Sequence, residues 1–358
     1  RRPGDFMKLI TGTEKGLIIY QKVNGAWKLS DIHFIGMPIG AFHQDQTGKW
    51  WVAINHKHWG PKLYTSQNQG ETFSEVNTPR FGDESPYFLK SIWRIESQAI
   101  GPINRLYIGT EPAALFLSED QGKSFKELSE LTAHESRSQW QGGGKGSNSP
   151  FLHTLVTDPN DSNALMVGIS CAGVFQTQDL GNTWNPSNKG LKSFFLPNSE
   201  IEVGHDPHII LRHPMNSNII WQQNHCGIYR SEDGGLTWND ISDKEGKAVY
   251  GFSMVIDDED INTAWVIPAQ SDDLRYPIQN KLAVYKTTDA GQSWQAQSNG
   301  LPQEAAFDLV LRASFARKGQ TMAFGSNNGN LYLSEDSGGH WQVLSQSLSS
   351  VRSISLIP

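Results

Sequence analysis

The chain has 358 residues, of which 37% are apolar, and its 30 Lys and Arg against 37 Asp and Glu give a net charge of -7. It has neither the basic surplus that draws a phosphate backbone nor an apolar run near the ~20 residues of a membrane helix, so we expect no nucleic-acid partner and no membrane. The 34 Gly and 12 Trp residues favour short strands and tight turns, and therefore an all-β protein.

A repeat organises the chain. A ten-residue pattern, aromatic-x-Ser/Thr-x-Asp/Asn-x-Gly-x-x-aromatic, recurs at 64–73, 116–125, 175–184, 229–238, 285–294 and 332–341, with steps of 47 to 59 residues. That is the period of a four-stranded propeller blade. The length by itself suggests two or three domains, but a shortened copy around Asn24, Gly25 and Trp27 makes seven units of about 51 residues. We therefore predict one seven-bladed β-propeller over residues 7–358.

The predicted strands follow the repeat in chain order. The opening blade has strands at 8–11, 17–20 and around Trp27. Each later blade has a first strand and then a second strand before its repeat, at 41–44 and 50–54, 92–96 and 105–109, 152–157 and 164–169, 208–212 and 219–223, 252–256 and 263–267, and 309–314 and 321–325. We expect strand 351–357 to complete the opening blade, which closes the ring and removes open sheet edges.

The repeat resembles the Asp-box, or BNR, repeat of sialidases, sortilin and xyloglucanases. The chain is similar to bacterial single-domain sialidase-like and BNR-repeat glycosyl hydrolase proteins. This resemblance implies that the boxes lie at the outer edges of the blades and that their aspartates are structural. An ordinary sialidase is not expected, because Arg94-Ile95-Glu96 lacks the proline of the sialidase Arg-Ile-Pro motif and those enzymes have six blades.

The ends and the cysteines give further expectations. Residues 1–6 precede Met7 and are interpreted as an extension or a vector remnant. Cys171 and Cys226 cannot form a disulfide framework, which favours a reducing, cytoplasmic compartment, although export stays open if a leader was removed. The glycine-rich stretch 141–146 lacks the Lys-Ser/Thr of a phosphate loop, so no nucleotide cofactor is expected.

The loops before the first strand and after the second strand of each blade are expected to share one face, and the two longest are 128–151 and 185–207. Eight of the eleven histidines map to that face. The densest group predicts a top-face site with possible ligands for zinc or a similar divalent metal, and with carboxylates for acid or base catalysis. The metal candidates are His153, His205, His208 and His225, and the catalytic candidates are Glu111 and Glu202.

A second group lies in the loop after the second strand of the sixth blade. Asp272 and Asp273 are further acid or base candidates, while Arg275 and Tyr276 are candidates for binding an anionic or sugar substrate. Asn224, Trp59 and Trp140 complete the predicted substrate-binding set, the tryptophans because they stack on sugar rings.

These residues predict a carbohydrate-active enzyme, a glycoside hydrolase or lyase with possible metal assistance and a small-molecule or glycan ligand. Three alternatives stay open. The histidines and carboxylates can form an acid or base site that needs no metal. The histidines and carboxylates can form a solvated structural cluster without metal or catalysis. The chain can also be a scaffold that binds a protein, peptide or glycan, as the resemblance to sortilin and to photosystem assembly propellers implies.

Overall fold

The computed structural model describes residues 7–142 and 149–358. Their strands form seven four-stranded sheets, and the fold is a seven-bladed β-propeller, as the repeat predicted. The predicted extension 1–6 and residues 143–146 of the glycine-rich stretch lie outside the described residues. The chain divides into two compact units, one of Arg1–Ile39 with Ile241–Pro358 and one of Gly40–Asp240.

The opening blade belongs to the first unit. Its first three strands are β1 (Lys8–Thr13), β2 (Gly16–Val23) and β3 (Ala26–His33). Its fourth strand comes from the C-terminal end of the chain and pairs antiparallel with β1, with Leu9 opposite Leu356. The prediction that the C-terminal strand completes the N-terminal blade is confirmed.

The second unit holds blades two to five, whose strands follow one another along the chain. Blade two has β4 (Ile39–Gln44), β5 (Trp50–His56), β6 (Gly60–Ser66) and β7 (Ser74–Val76), and blade three has β8 (Ser91–Ile100), β9 (Ile103–Glu111), β10 (Ala114–Ser118) and β11 (Lys126–Glu127). Blade four has β12 (Leu152–Asp158), β13 (Asp161–Ile169), β14 (Gly173–Thr177) and β15 (Asn185–Pro186), and blade five has β16 (Pro207–His213), β17 (Asn216–Asn224), β18 (Gly227–Ser231) and β19 (Asn239–Asp240). The loop before β12 carries a short helix α1 (Ser129–Thr132) and a 3-10 turn (Arg137–Gln139).

Blades six and seven return to the first unit. Blade six has β20 (Gly251–Ile256), β21 (Ala264–Pro268), β22 (Val284–Thr287) and β23 (Gln295–Gln297), with a 3-10 turn at Ile278–Asn280. Blade seven has β24 (Phe315–Lys318), β25 (Thr321–Gly325), β26 (Leu331–Ser334) and β27 (Gln342–Ser345), and β28 (Val351–Ile357) ends the chain. None of the helices in the described part of the chain has the length and apolar character that crossing a bilayer requires.

The predicted strand at 309–314 is wrong, because the first strand of blade seven is β24. Leu309 instead exchanges hydrogen bonds with Asn327, accepting the Asn327 N–H at 2.8 Å and donating its own N–H to Oδ1 at 2.9 Å. Ala313 accepts the N–H of Ile354 at 2.8 Å. Since these loop contacts satisfy the backbone, the apolar stretch does not need a sheet ladder.

Apolar side chains fill the space between neighbouring blades within each unit. Trp51 of blade two packs with Ile92, Ile108 and Phe116 of blade three. Similar clusters join blades three and four, four and five, six and seven, and seven and one. The second strands are therefore buried over consecutive residues, for example at 50–54 in β5 and 164–169 in β13, which explains why the predicted second strands read as continuous apolar runs.

The six ten-residue repeats, here called the repeat turns, share one hydrogen-bond pattern. In the second, Ser118 Oγ donates to Asp120 Oδ1 and accepts the N–H of Gly122, both at 2.8 Å, while Ser124 N–H donates to Asp120 Oδ1 at 2.9 Å. These hydrogen bonds, led by the one from the Ser124 hydroxyl, lower the pKa of Asp120 to about 2. The repeat-turn aspartates are thus occupied in holding their own turns.

Candidate functional site

The clearest constellation of chemically active side chains is in blade five. Asp206 immediately precedes β16, His208 is its second residue and His225 immediately follows β17. The two strands are antiparallel neighbours, and the backbone N–H of His225 donates to the carbonyl oxygen of Asp206 at 2.9 Å. The sheet therefore brings together residues that are 17 to 19 positions apart. We call these three residues the Asp206 cluster.

His208 occupies an irregularity in the ladder. Pro207 pairs with Asn224 and Ile209 with Gln223, so the register shifts across His208 and leaves it as an additional residue. A bulge of this kind bends the strand and re-aims the side chain. The equivalent shift occurs around His153 in β12 and around Trp93 in β8. The site thus uses a backbone feature that recurs at the start of several blades.

The cluster is compact and largely buried. Asp206 Oδ2 lies 3.3 Å from His208 Nε2 and 3.4 Å from His225 Nδ1. The two imidazole rings are nearly perpendicular, with centroids 5.4 Å apart. Exposed fractions of the side chains are 1% for His208, 9% for Asp206 and 18% for His225. The partly exposed His225 is therefore the member that solvent or a ligand reaches most easily.

Neighbouring loops support the cluster. The backbone N–H of Cys171, in the turn after β13, donates to Asp206 Oδ1 at 3.2 Å. This contact holds one carboxylate oxygen while the other faces the imidazoles. The ring of Phe195 meets the ring of His225 edge to face, with centroids 5.4 Å apart. On the other side of the turn, Cys226 N–H donates to Asn224 Oδ1 at 2.9 Å.

Two imidazole nitrogens and one carboxylate oxygen are ligands suited to zinc or another first-row divalent metal. The three ligand atoms lie within 4.8 Å of one another, and no other group of three or more His, Cys, Asp or Glu residues meets this condition in residues 7–142 and 149–358. In a tetrahedral zinc site with bonds of about 2.0–2.1 Å, ligand atoms are about 3.3–3.4 Å apart. The two distances from Asp206 Oδ2 match that separation.

The structure brings together two of the four predicted metal ligands, His208 and His225. His205 is fully buried, and its ring nitrogens contact Ser193 Oγ at 2.7 Å and the carbonyl oxygen of Ile201 at 2.5 Å. Burial lowers the pKa of His205. A neutral imidazole therefore ties the loop before β16 together. His153 is also buried, beside the ring of Phe151 at 5.6 Å, and neither residue is part of the Asp206 cluster.

The predicted carboxylates and amide of this unit lie outside the cluster. Glu111 accepts hydrogen bonds from Ser91 Oγ at 3.2 Å and Ser149 Oγ at 3.1 Å. Glu202 is exposed. Asn224 is fully buried, donates to Gln222 Oε1 at 2.8 Å and accepts from Cys226, so its amide fixes the turn. Both ends of the Asn224 side chain are thus used within the turn, and its assignment to substrate binding stays a prediction.

The second predicted group lies in the first unit. Arg275 Nη2 pairs with Asp272 Oδ1 at 2.5 Å, and Tyr250 Oη donates to the same oxygen at 3.3 Å. The Arg275 guanidinium also lies 5.4 Å from the ring centroid of Phe252. Asp273 is exposed, and Tyr276 meets Phe307 edge to face at 6.3 Å. Asp272 and Arg275 thus neutralise each other within one loop.

The two predicted sugar-stacking tryptophans differ. Trp59 is 66% exposed and stacks on the ring of His56 at 4.0 Å. Trp140 is 7% exposed, donates to Ser136 Oγ at 2.9 Å and has the Arg137 guanidinium 4.7 Å from its ring. Trp140 is therefore part of the core between blades three and four, whereas Trp59 keeps an exposed face.

Sequence reasoning missed the member that connects the cluster. Asp206 lies in the segment His205-Asp206-Pro207-His208. Both histidines were predicted as metal ligands, and the aspartate between them was not. The available signal was its position directly before a predicted first strand, opposite the end of the second strand where His225 lies. Phe195 and Cys171 were missed as supporting residues because their contacts depend on how two long loops fold.

Comparisons with known proteins agree with the fold. The family model Sortilin-Vps10, described as sortilin, neurotensin receptor 3, matches residues 226–354, which is less than half of the chain. No curated protein matches the sequence. The similarity to the sortilin family therefore concerns a part of the chain.

Three solved structures have the same fold at low identity. An ancestral GH74 enzyme is similar with a TM-score of 0.56 and 17% identity, and the match covers 87% of this chain but only 39% of that chain. A candidate 6-phosphogluconolactonase from Bacteroides uniformis has a TM-score of 0.59 and 11% identity, with 99% and 100% covered. YCF48 bound to D1 peptide has a TM-score of 0.54 and 13% identity, with 89% and 86% covered. At these identities the likeness establishes the propeller fold alone.

Proposed function

We propose that this chain is an Asp-box propeller that binds a divalent metal ion of the zinc class at the Asp206 cluster and cleaves a carbohydrate substrate there, by hydrolysis or a lyase-type reaction. The observation that carries the proposal is the pair of distances, 3.3 and 3.4 Å, from Asp206 Oδ2 to His208 Nε2 and His225 Nδ1. They match the spacing of ligands around tetrahedral zinc.

Each residue of the cluster has a distinct task in this proposal. His208 and His225 supply neutral imidazole nitrogens, and Asp206 supplies an anionic oxygen that offsets part of the metal charge. The N–H of Cys171 donates to Asp206 Oδ1 and so orients the carboxylate, as hydrogen bonds to metal ligands do in other metal sites. A zinc ion held by these three residues would stay accessible to water and would lower the pKa of that water towards neutrality.

A carbohydrate substrate is supported by two considerations. The repeat turns resemble those of BNR-repeat glycosyl hydrolases, and one similar fold belongs to a GH74 enzyme. The exposed Trp59, stacked on His56, offers an aromatic surface on the same unit. Aromatic rings of this kind combine apolar contact with a polar edge, which suits a sugar ring.

The experiment is a cleavage assay on a panel of polysaccharides with zinc-loaded protein. The wild type is compared with the His208→Ala, His225→Ala double variant and with His340→Ala, a matched control at an exposed histidine outside the cluster. We expect cleavage by the wild type and the control and a loss of at least about 100-fold in the double variant. Equal cleavage by the double variant would show that another centre does the chemistry.

A second candidate is a propeller that binds a peptide or another protein. The observation in its favour is the exposure of large apolar loop residues in the second unit, with Phe88 at 82% and Phe194 at 70%. Exposed apolar side chains are typical of interaction surfaces when they form a patch. The sortilin model and YCF48 with its D1 peptide agree with such a role. No cleavage in the panel, together with no bound metal, would favour this candidate.

A further inference from the structure

A small cavity borders the Asp206 cluster. It has a volume of about 220 Å³. Its apolar lining consists of Phe195, Leu196, Ile201 and Val203, and its other lining residues are Gln139, Gln141, Cys171 and Gly204. Neither the predicted site residues nor the proposed metal ligands line this cavity, so it is a separate feature that the proposed chemistry does not use.

Two of the lining residues are the ones that contact the cluster. Phe195 meets the imidazole of His225 edge to face at 5.4 Å. Cys171 donates its backbone N–H to Asp206 Oδ1 at 3.2 Å. His225 is the most exposed member of the cluster. A molecule bound there is therefore separated from the cavity only by the side chain of Phe195.

The cavity wall is held in place by hydrogen bonds rather than by apolar contacts alone. Gly204 N–H donates to the carbonyl oxygen of Ala172 at 2.7 Å, and Asn188 Nδ2 donates to that of Glu202 at 2.9 Å. The buried His205 joins Ser193 to Ile201 in the same loop. Since these bonds fix the loop on both sides of Val203, the cavity exists before any ligand binds, which lowers the ordering cost of binding.

The size of the cavity limits what can enter it. Sites for drug-sized molecules have volumes of about 300–1,000 Å³, so this cavity takes a substituent rather than a whole substrate. An apolar cavity of about 150 Å³ accommodates benzene. A phenyl ring or a short acyl chain therefore fits, and the four apolar side chains offer such a group a surface away from water.

We infer that the cavity receives an apolar acyl or aryl substituent of the molecule that coordinates the metal at the Asp206 cluster. The inference rests on the proposed metal site and narrows its substrate class to compounds that carry an oxygen ligand next to such a substituent. On a carbohydrate, this means an acylated or aryl-substituted sugar. Phe195 and Leu196 are then specificity-determining residues rather than catalytic ones.

The test uses calorimetry on the full chain. Zinc is titrated alone first, and then acetohydroxamate and benzohydroxamate are titrated into the zinc-loaded protein, because both present the same oxygen ligands and differ in the apolar group. We expect benzohydroxamate to bind at least about tenfold more tightly, since the cavity removes the ring from water. Leu196→Trp should fill the cavity and remove that preference while zinc and acetohydroxamate still bind. Leu236→Trp, at a residue 68% exposed outside the cavity, is the matched control and should keep the preference.

The outcomes separate the two proposals. Failure of zinc to bind overturns both the proposed function and the inference that rests on it. Zinc binding with equal affinities for the two hydroxamates overturns the cavity inference and leaves the metal site standing. The cavity inference is also overturned if zinc still binds but neither Leu196→Trp nor a second cavity-filling variant, Val203→Phe, lowers the affinity for benzohydroxamate. A circular dichroism spectrum of each variant verifies that it is folded.

Discussion

The backbone N–H of His225 donates to the carbonyl oxygen of Asp206 at 2.9 Å, and the side chains of the same two residues approach to 3.4 Å. The ladder that joins the first two strands of blade five therefore also sets the spacing of the candidate metal ligands. A site built on neighbouring strands is held more rigidly than one built on loops alone. The positions of Asp206 and His225 are therefore fixed by a backbone hydrogen bond next to the ladder as well as by the contact between their side chains.

Asp206→Asn tests the contribution of the connecting carboxylate. The amide keeps an oxygen that can accept the Cys171 N–H, but it removes the negative charge that offsets the metal. We expect zinc affinity to fall at least about tenfold, measured by calorimetry. Asp273→Asn, an exposed carboxylate in the other unit, is the control and should have no effect. Unchanged affinity in Asp206→Asn would remove this residue from the ligand set.

His205→Ala separates a loop-fixing histidine from a metal ligand. Removal of the imidazole leaves Ser193 Oγ and the Ile201 carbonyl without their present partner, which we expect to cost about 1–3 kcal/mol of unfolding free energy. Zinc affinity should stay within about threefold of wild type, because His205 is outside the cluster. Urea unfolding and zinc calorimetry measure the two effects. Loss of zinc binding in a folded variant would make His205 a ligand after all.

The repeat turns should make the stability of the fold sensitive to acid. Hydrogen bonds from Ser124 and Ser118 lower the pKa of Asp120 from 3.8 to about 2. A depressed native pKa means that the ionised carboxylate stabilises the fold above about pH 4, and that this contribution is lost as the pH falls towards 2. Asp120→Asn should therefore lower the urea midpoint at pH 7 and reduce its decline between pH 4 and 2. A decline as steep as in wild type would contradict this assignment.

Asn68 of the first repeat turn provides an internal comparison for that variant. Its Oδ1 accepts from Ser66 Oγ at 2.9 Å and from the N–H of Thr72 at 3.0 Å, as the aspartates do in the other turns. An amide is thus compatible with the turn geometry. Asp120→Ala, which lacks both oxygens, should lower the urea midpoint further than Asp120→Asn.

Gly122→Ala tests the packing of a repeat turn on the neighbouring blade. Gly122 has a φ of +83°, and a Cβ there would lie 2.5 Å from the indole of Trp51. We expect a loss of about 2–4 kcal/mol from backbone strain and overpacking together. Gly246→Ala, with a φ of +81° and no atom within 4 Å of its Cβ, isolates the strain and should cost about 1–2 kcal/mol. Equal losses in urea unfolding would show that Trp51 moves aside freely.

The fold was predictable because the sequence signature of one blade occurs several times along the chain. Each copy combines a turn with an aromatic residue at blade spacing, and the strand order then follows from chain connectivity. The one misplaced first strand, at 309–314, has the apolar character of a strand but forms its hydrogen bonds with loop residues such as Asn327. The pattern of apolar residues cannot distinguish a strand from such a loop. Backbone N–H and C=O groups are satisfied equally well by a neighbouring strand or by loop residues.

The site was predictable only in part. His208 and His225 were identified because they flank strands that had to be neighbours. His205 is also a histidine before the same strand and Asn224 is the direct neighbour of His225, yet their side chains are used within their loops. The direction of a side chain in a loop or bulge depends on hydrogen bonds that residue spacing does not encode. For the same reason Asp206 was overlooked between two histidines.

The proposed function requires that the Asp206 cluster holds a divalent metal ion. The most direct measurement is elemental analysis of protein purified without a metal-affinity tag and then equilibrated with zinc, for the wild type and the His208→Ala, His225→Ala double variant. We expect about one equivalent of zinc in the wild type and less than about a tenth of an equivalent in the double variant. Less than about a tenth of an equivalent in both proteins, or the same content in both, would contradict it.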